Sequence, residues 1–304
     1  MTQTKICLVG IGKIAADQHV PALQASNDWD LAATVSRSGT VDGVESYTDF
    51  DAMLAARPDI PVISLCLPPV PRFDYAQKAI AAGRHVMLEK PPGATLAEVH
   101  RLQDLAAAAG VSLFATWHSR MACGVAGAKA WLADKTVNAL HITWKEDVRR
   151  WHPGQEWVFE PGGMGVFDPG INALSIMTEI LPTPVFLREA TLSFPQNRDT
   201  PIAADLRFSG NVTADFDWRQ EGPQTWGMVV ETDAGAVELS EGGSKLVIAG
   251  QAQDVGVNRE YPALYDHMAT LVRDGHCDID LSPMVHVSDA MTLGKRVVVD
   301  PFHF

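Results

Sequence analysis

Val9-Gly10-Ile11-Gly12-Lys13-Ile14-Ala15 follows directly on the apolar run Lys5-Ile6-Cys7-Leu8 and leads into a stretch of helical periodicity. The spacing is Gly-x-Gly-x-x-Ala at a strand-to-helix turn. Gly10 permits the tight turn, and Gly12 lets backbone N–H groups approach a pyrophosphate at the helix amino end. Ala15 lets helix and strand pack closely. An ordinary glycine-rich turn has the same residues, so the meaning of the motif depends on its surroundings.

Those surroundings alternate short apolar runs with helical patterns. Residues 5–9, 31–35, 62–65, 85–88 and 112–115 read as strands, and 14–24, 50–56, 73–82 and 95–109 as helices. The last helix opens on the capping box Thr95-Leu96-Ala97-Glu98 and stops at Gly110. Strands alternating with helices predict right-handed crossovers and an α/β fold, a doubly wound parallel sheet spanning residues 1–119. From about residue 120 the rhythm changes. Residues 139–146, 185–193, 202–209, 211–217, 226–232, 237–239 and 245–248 read as strands, several joined by turns such as Ser209-Gly210-Asn211 and Asp233-Ala234-Gly235. One helix starts at Pro169, and two more cover 261–273 and 283–295. The expectation is an α+β second domain over 120–304. Its open, mostly antiparallel sheet would carry helices and serve substrate binding and oligomerisation.

The chain has 304 residues and a formal net charge of -13, with no cluster of Lys and Arg. Such a surface repels phosphate backbones and anionic lipid, so neither nucleic acid nor membrane is expected as a partner. An anionic ligand must then be held by a local device. The four cysteines are scattered, without the spacing of a zinc site or a disulfide framework, and no metal is expected. The amino terminus has no signal-peptide layout, which makes the cytoplasm the expected compartment.

Three further segments bear on chemistry. The second strand ends in Val35-Ser36-Arg37-Ser38, where an Asp or Glu would grip the ribose 2′-hydroxyl of NAD. A guanidinium flanked by two hydroxyls suits a 2′-phosphate instead, so NADP is the preferred cofactor and NAD remains possible. The same residues also suit a polar surface loop. Leu88-Glu89-Lys90-Pro91-Pro92 leaves the fourth strand at its carboxyl end, where side chains of such sheets face ligands; taken alone it is an ordinary turn. Gly162-Gly163-Met164-Gly165-Val166-Phe167-Asp168-Pro169-Gly170-Ile171-Asn172 opens a helix. Asp168 reads structurally as an N-cap before a first-turn proline, and Asn172 lies one turn later on the same face.

In this order and spacing, the glycine motif, Glu89-Lys90-Pro91 and Gly-Gly…Asp168-x-x-x-Asn172 resemble the glucose–fructose oxidoreductase and inositol dehydrogenase family of pyridine-nucleotide oxidoreductases. The resemblance covers essentially the whole chain. It implies an amino-terminal Rossmann domain and a carboxy-terminal open sheet lining the active site. The family's Asp-x-x-x-His pair maps to Asp168 and Asn172, a departure found in the branch that oxidises L-arabinose and D-galactose at C1 to the lactone. Asp17-Gln18-His19-Val20-Pro21, Pro68-Pro69 and Trp117-His118 agree with that branch.

The resemblance implies cofactor contacts at Gly10, Gly12, Lys13, Ile14, Ser36, Arg37, Ser38, Pro68, Pro69, Glu89 and Lys90. It implies catalytic roles for Asp168, Lys90 and Asn172, and a sugar held by these with His118, Glu146, Trp151, His152 and Trp226. Tryptophans in a sheet also serve as packing, and lone histidines as satisfied structural groups. Asn172 has no useful base at neutral pH, which leaves Asp168 to take the proton and Lys90 to hydrogen-bond the reacting oxygen. Two other readings keep the scaffold: a different polyol, deoxysugar or dihydrodiol substrate, and a nonenzymatic NADPH-binding regulator. Lys90 and Asp168 together argue for chemistry, Asn172 argues against an inositol substrate, and a homo-oligomer, dimer or tetramer, is expected.

Overall fold

Apolar runs punctuated by Gly and Pro become the strands of a fully parallel sheet. The computed structural model describes residues 3–304. The strands are β1 (Thr4–Val9), β2 (Trp29–Val35), β3 (Glu45–Tyr47), β4 (Val62–Leu65), β5 (His85–Leu88) and β6 (Leu113–Ala115), in the order β3-β2-β1-β4-β5-β6. Crossovers run through α1 (Val20–Gln24), α2 (Phe50–Ala56), α3 (Pro69–Ala81) and α4 (Leu96–Ala109). Strands covered on both faces are nearly all apolar, and every residue of β4 is buried. The order reverses beside β1, so ligands of this sheet type sit at the carboxyl ends of β1 and β4.

Local signals were realised to different degrees. The capping box at Thr95 and Glu98 forms in full, and Gly110 ends α4 in the left-handed conformation. The helix expected over 14–24 is instead a π-helical turn, Ala15–His19, continued by α1. The short β3 has too few residues to show a period. α3 begins at Pro69, four residues before the expected start; prolines in a first turn lack only N–H groups that have no partner there.

The second sheet contains β7 (Val137–Lys145), β8 (Leu187–Pro195), β9 (Ala203–Phe208), β10 (Val212–Asp217), β11 (Thr225–Thr232), β12 (Gly235–Ser240), β13 (Lys245–Ile248), β14 (Gln251–Ala252) and β15 (Lys295–Val299). Their order is β14-β13-β12-β11-β7-β10-β9-β8-β15. Most pairings are antiparallel, with β7–β10 and β8–β15 parallel, so the sheet is mixed. The two expected turns join β9 to β10 and β11 to β12, with Gly210 and Asn211 at positive φ. The helices of this part of the chain are α5 (Val125–Leu132), α6 (Val148–Trp151), α7 (Phe167–Ile180), α8 (Glu260–Asp274) and α9 (Ser282–Leu293). The expected last helix ran to residue 295; the chain instead leaves α9 at Leu293 and Lys295–Val299 pairs with β8.

The chain divides into two compact units. One runs to His118 and takes in Tyr261–Leu281; the other comprises Ser119–Glu260 and Ser282–Phe304. The expected continuous second domain, 120–304, is thus interrupted. The returning segment is tied to the first sheet by long-range bonds. The Ala115 N–H donates to the Asp278 carbonyl (2.9 Å), and the Trp117 indole to the Asp280 carbonyl (2.9 Å). The Trp29 indole donates to the Tyr265 carbonyl (3.1 Å). A helical period reports which face is apolar, not which core the helix joins. Among the described residues, no helix is long and apolar enough to cross a membrane.

Candidate active site

Gly10 occupies φ +91°, a conformation that side chains with a Cβ resist, and its N–H donates to the Val35 carbonyl (2.8 Å). Ala15 is buried in one cluster with Leu8 and Val20, which lets the π turn lie close on β1. A Cβ built on Gly12 meets no protein atom within 4 Å. The fold itself therefore does not demand glycine there, whereas close backbone approach by a pyrophosphate would. Lys13 forms an exposed ion pair with Asp17, and Ile14 is exposed.

Beyond β2 the turn Ser36–Gly39 is pinned beside this loop. A Cβ on Gly39 would lie 2.3 Å from the Ile11 carbonyl oxygen, and the Gly39 N–H donates to Ser36 Oγ (3.2 Å). Arg37 and Ser38 are exposed, and among the described residues Arg37 has no ion pair or hydrogen bond within the chain. A cation left to solvent next to a glycine loop fits a phosphate-bearing ribose. The acceptor-poor, donor-rich set of this loop pair suits the NAD-type cofactor that the sheet topology implies.

Pro68 and Pro69 begin α3 at the carboxyl end of β4, Pro68 exposed and Pro69 buried. Arg72, buried and missed by sequence reading, donates to the carbonyls of Leu67, Glu89 and Pro91. One guanidinium thus fastens the β4 turn to the turn carrying Lys90, itself half-buried. Glu89, expected among the cofactor contacts, instead turns inward. It is 4 % exposed; its Oε1 accepts from the Tyr261 hydroxyl (2.8 Å) and lies 3.4 Å from His19 Nε2. His118 opens the turn after β6 and stacks on Tyr261, with ring centroids 5.4 Å apart.

In the second unit, α7 starts at Phe167, not at Pro169, because Val166 is already helical as N-cap. Asp168 is therefore a first-turn residue, not the cap expected from Asp-Pro. Its N–H donates to the Gly165 carbonyl (2.8 Å), and its buried carboxylate sits near the positive end of the helix. The glycine-rich approach serves the chain's own packing. Cβ atoms on Gly163 and Gly165 would fall 2.4 Å and 2.2 Å from the carbonyl oxygens of Trp157 and Pro201.

His152, expected as a sugar contact, places Nε2 3.1 Å from Asp168 Oδ2, and its Nδ1 lies 3.2 Å from Gln155 Oε1. This pair is separated by 16 positions and had no sequence signal. Asn172 is half-buried one turn below Asp168, and its backbone carbonyl accepts from Ser175 Oγ (2.7 Å). Glu146, also buried, accepts from the Trp218 indole through Oε1 (3.0 Å) and the Trp226 indole through Oε2 (2.8 Å). Trp151 donates to Gln224 Oε1 and packs on Trp226, centroids 5.6 Å apart. Fully buried Trp218 also edges against His152 at 5.4 Å. Through Trp218, overlooked in the sequence, the structure joins Glu146, Trp151, His152, Asp168 and Trp226 in one cluster.

A carboxylate at a helix start, held by an imidazole that is itself packed against an indole, can accept a proton from a hydroxyl. Residues 4–116 match the family described as an oxidoreductase family with an NAD-binding Rossmann fold. Over 311 aligned positions the chain is 40% identical to galactose 1-dehydrogenase of Pseudomonas fluorescens, with 100% of both proteins covered. The chain belongs to the Gfo/Idh/MocA oxidoreductase family. This Gfo/Idh/MocA protein is 53% identical to a D-galactose-1-dehydrogenase protein of Rhizobium etli, whose crystal structure superposes with a TM-score of 0.95 over 100% of this chain and 99% of that one. The family fold extends further. KijD10, a 3-ketoreductase from Actinomadura kijaniata solved with NADP and TDP-benzene, has a TM-score of 0.82 at 17% identity, covering 98% and 100% of the two chains.

Proposed function

We propose that this oxidoreductase is an aldose 1-dehydrogenase that oxidises L-arabinose and D-galactose at C1 to the lactone, with NADP preferred over NAD. The full-length identity to galactose 1-dehydrogenase carries the reading. The bound cofactor supplies the hydride acceptor. Gly10, Gly12, Lys13, Ile14, Ser36, Arg37, Ser38, Pro68, Pro69 and Lys90 hold it, Glu89 acting from behind.

Asp168 accepts the O1 proton as the C1–H bond breaks. Its carboxylate lies at the amino end of α7, 3.1 Å from His152 Nε2. Lys90 donates a hydrogen bond to O1 and stabilises negative charge developing there. Asn172 orients the same hydroxyl without taking its proton. Trp151 and Trp226 stack on the apolar face of the pyranose, while His118, Glu146 and His152 bind its hydroxyls. Glu146 already receives two indole N–H groups, yet a carboxylate has about four lone-pair sites and takes a sugar O–H besides.

A panel of aldoses assayed with NADP and NAD by absorbance of the reduced nicotinamide tests this. L-Arabinose and D-galactose, alike except for the exocyclic CH2OH, should both turn over. D-Glucose, inverted at C4, should fall by about 10–100-fold in kcat/KM, since an unpaired buried polar group costs about 1–3 kcal/mol. Comparable rates on glucose or myo-inositol would sink the assignment. The cofactor preference has its own test. Arg37→Ala should weaken NADP by about 10–100-fold, the worth of a charge-assisted hydrogen bond, and leave NAD within about twofold. Equal losses with both cofactors would show that Arg37 does not read the 2′-phosphate.

A further inference from the structure

The first unit contains a buried charged cluster that hydride transfer does not itself require. Glu89 sits one residue before Lys90, at the end of β5, with its carboxylate directed into the interior. Its Oε1 accepts from the Tyr261 hydroxyl (2.8 Å) and faces His19 Nε2 (3.4 Å). His19 Nδ1 bonds the Tyr265 hydroxyl (2.7 Å), which in turn lies 3.3 Å from Ser64 Oγ. All five side chains are buried. Burial alone would raise the Glu89 carboxyl; the His19 imidazole 3.4 Å away, and the charges of His118 and Lys90, hold it down to about 2. Burial opposes an imidazolium too, but the contacts of His19 with Cys66, Tyr265 and Glu89 hold its pKa well above the ordinary value. Removing a charged pair from water is costly, and an apolar pair of similar volume often serves stability as well or better.

The cluster is placed to control Lys90. On the main chain, buried Arg72 donates to the Glu89 and Pro91 carbonyls, one on each side of Lys90. On the side-chain route, the anchored Glu89 fixes the residue from which Lys90 follows. The same Tyr261 that grips Glu89 also stacks on His118. The cluster spans the π turn after the glycine loop, the end of β4, the end of β5 and α8.

We infer that Glu89, held by His19 and Tyr261, is a positioning residue that fixes Lys90 for proton and hydride transfer. The inference rests on the role proposed for Lys90 above. Reacting groups displaced by even an ångström lose large factors in rate, while the ground-state grip on the dinucleotide barely changes.

A double-mutant cycle tests it. Glu89→Gln keeps the size and an acceptor for Tyr261 but removes the charge paired with His19. It should lower kcat by about tenfold and leave the KM for NADP within about twofold. In a Lys90→Met background the same change should alter the residual kcat/KM by less than about twofold, since nothing remains to be positioned. If the Glu89→Gln protein does not fold, Tyr261→Phe, which deletes only the hydroxyl bonded to Glu89, is read in the same two backgrounds with a loss of about threefold expected in the first and none in the second. Multiplicative losses in both backgrounds, or an unchanged kcat in the single variant, overturn the inference and leave the role of Lys90 standing. Wild-type kcat in Lys90→Met overturns both.

Discussion

Asp168→Asn should lower kcat by about 100-fold or more, the range for a lost general base, while NADP affinity stays within about twofold. The amide keeps the shape of the side chain and a partner for His152, which lies 3.1 Å from Asp168 Oδ2. What disappears is the proton acceptor. The fold should tolerate the change, because the buried amide keeps the side chain's volume and its partner, and the dipole contribution lost with the charge is at most about 2 kcal/mol. His152→Gln should cost less in kcat than Asp168→Asn, since it loosens the carboxylate without removing it. A folded Asp168→Asn protein within about tenfold of wild-type kcat would exclude this carboxylate as the essential base. Lys90 would then lead the candidates.

Gly12→Val should abolish cofactor binding without unfolding the protein. A Cβ at Gly12 meets no protein atom within 4 Å, so the branch point of the new side chain meets no protein obstacle. Nor does Gly12 adopt a positive φ, unlike Gly10 at +91°. The added isopropyl group would instead occupy the space through which a pyrophosphate reaches the backbone N–H groups. The dissociation constants of NADP and NAD should both rise by about 100-fold or more, while Tm stays within about 2 °C, the shift expected from roughly 1 kcal/mol in a protein of this size. Calorimetric titration and a melting curve on the same sample check both halves. Tight cofactor binding by folded Gly12→Val protein would place the pyrophosphate elsewhere. Loss that is equal for the two cofactors here, and unequal in Arg37→Ala, separates the pyrophosphate device from the 2′-phosphate device.

The candidate site was legible in the sequence wherever a few consecutive residues carry the whole device. Gly10-x-Gly12-x-x-Ala15, Glu89-Lys90-Pro91 and Asp168-x-x-x-Asn172 are of that kind, because a turn, a strand end and one helical turn are each fixed by local geometry. The partners of those devices were not legible. Arg72 fastens the turn after β4, through the Leu67 carbonyl, to the Glu89–Pro91 turn 17 to 19 residues away, and Tyr261 reaches Glu89 across 172 positions. Nothing local to Glu89-Lys90-Pro91 shows that the Glu89 carboxylate is buried against Tyr261 and His19, since both partners come from elsewhere in the chain.

By itself the sequence determined the alternation of strands and helices in residues up to about 115, the capping box at Thr95, and the two hairpin turns of the second sheet. These follow from backbone conformational preference and from hydrophobic period, both of which act over a few residues. Tertiary structure alone decided that Tyr261–Leu281 packs with the first unit and that Lys295–Val299 pairs with β8. It alone decided that His152 holds Asp168, and that Trp218 and Trp226 share the carboxylate of Glu146. Local preferences leave such choices nearly degenerate. They are settled by burial of apolar area and by the requirement that every polar group taken out of water find a partner, and those partners come from distant parts of the chain.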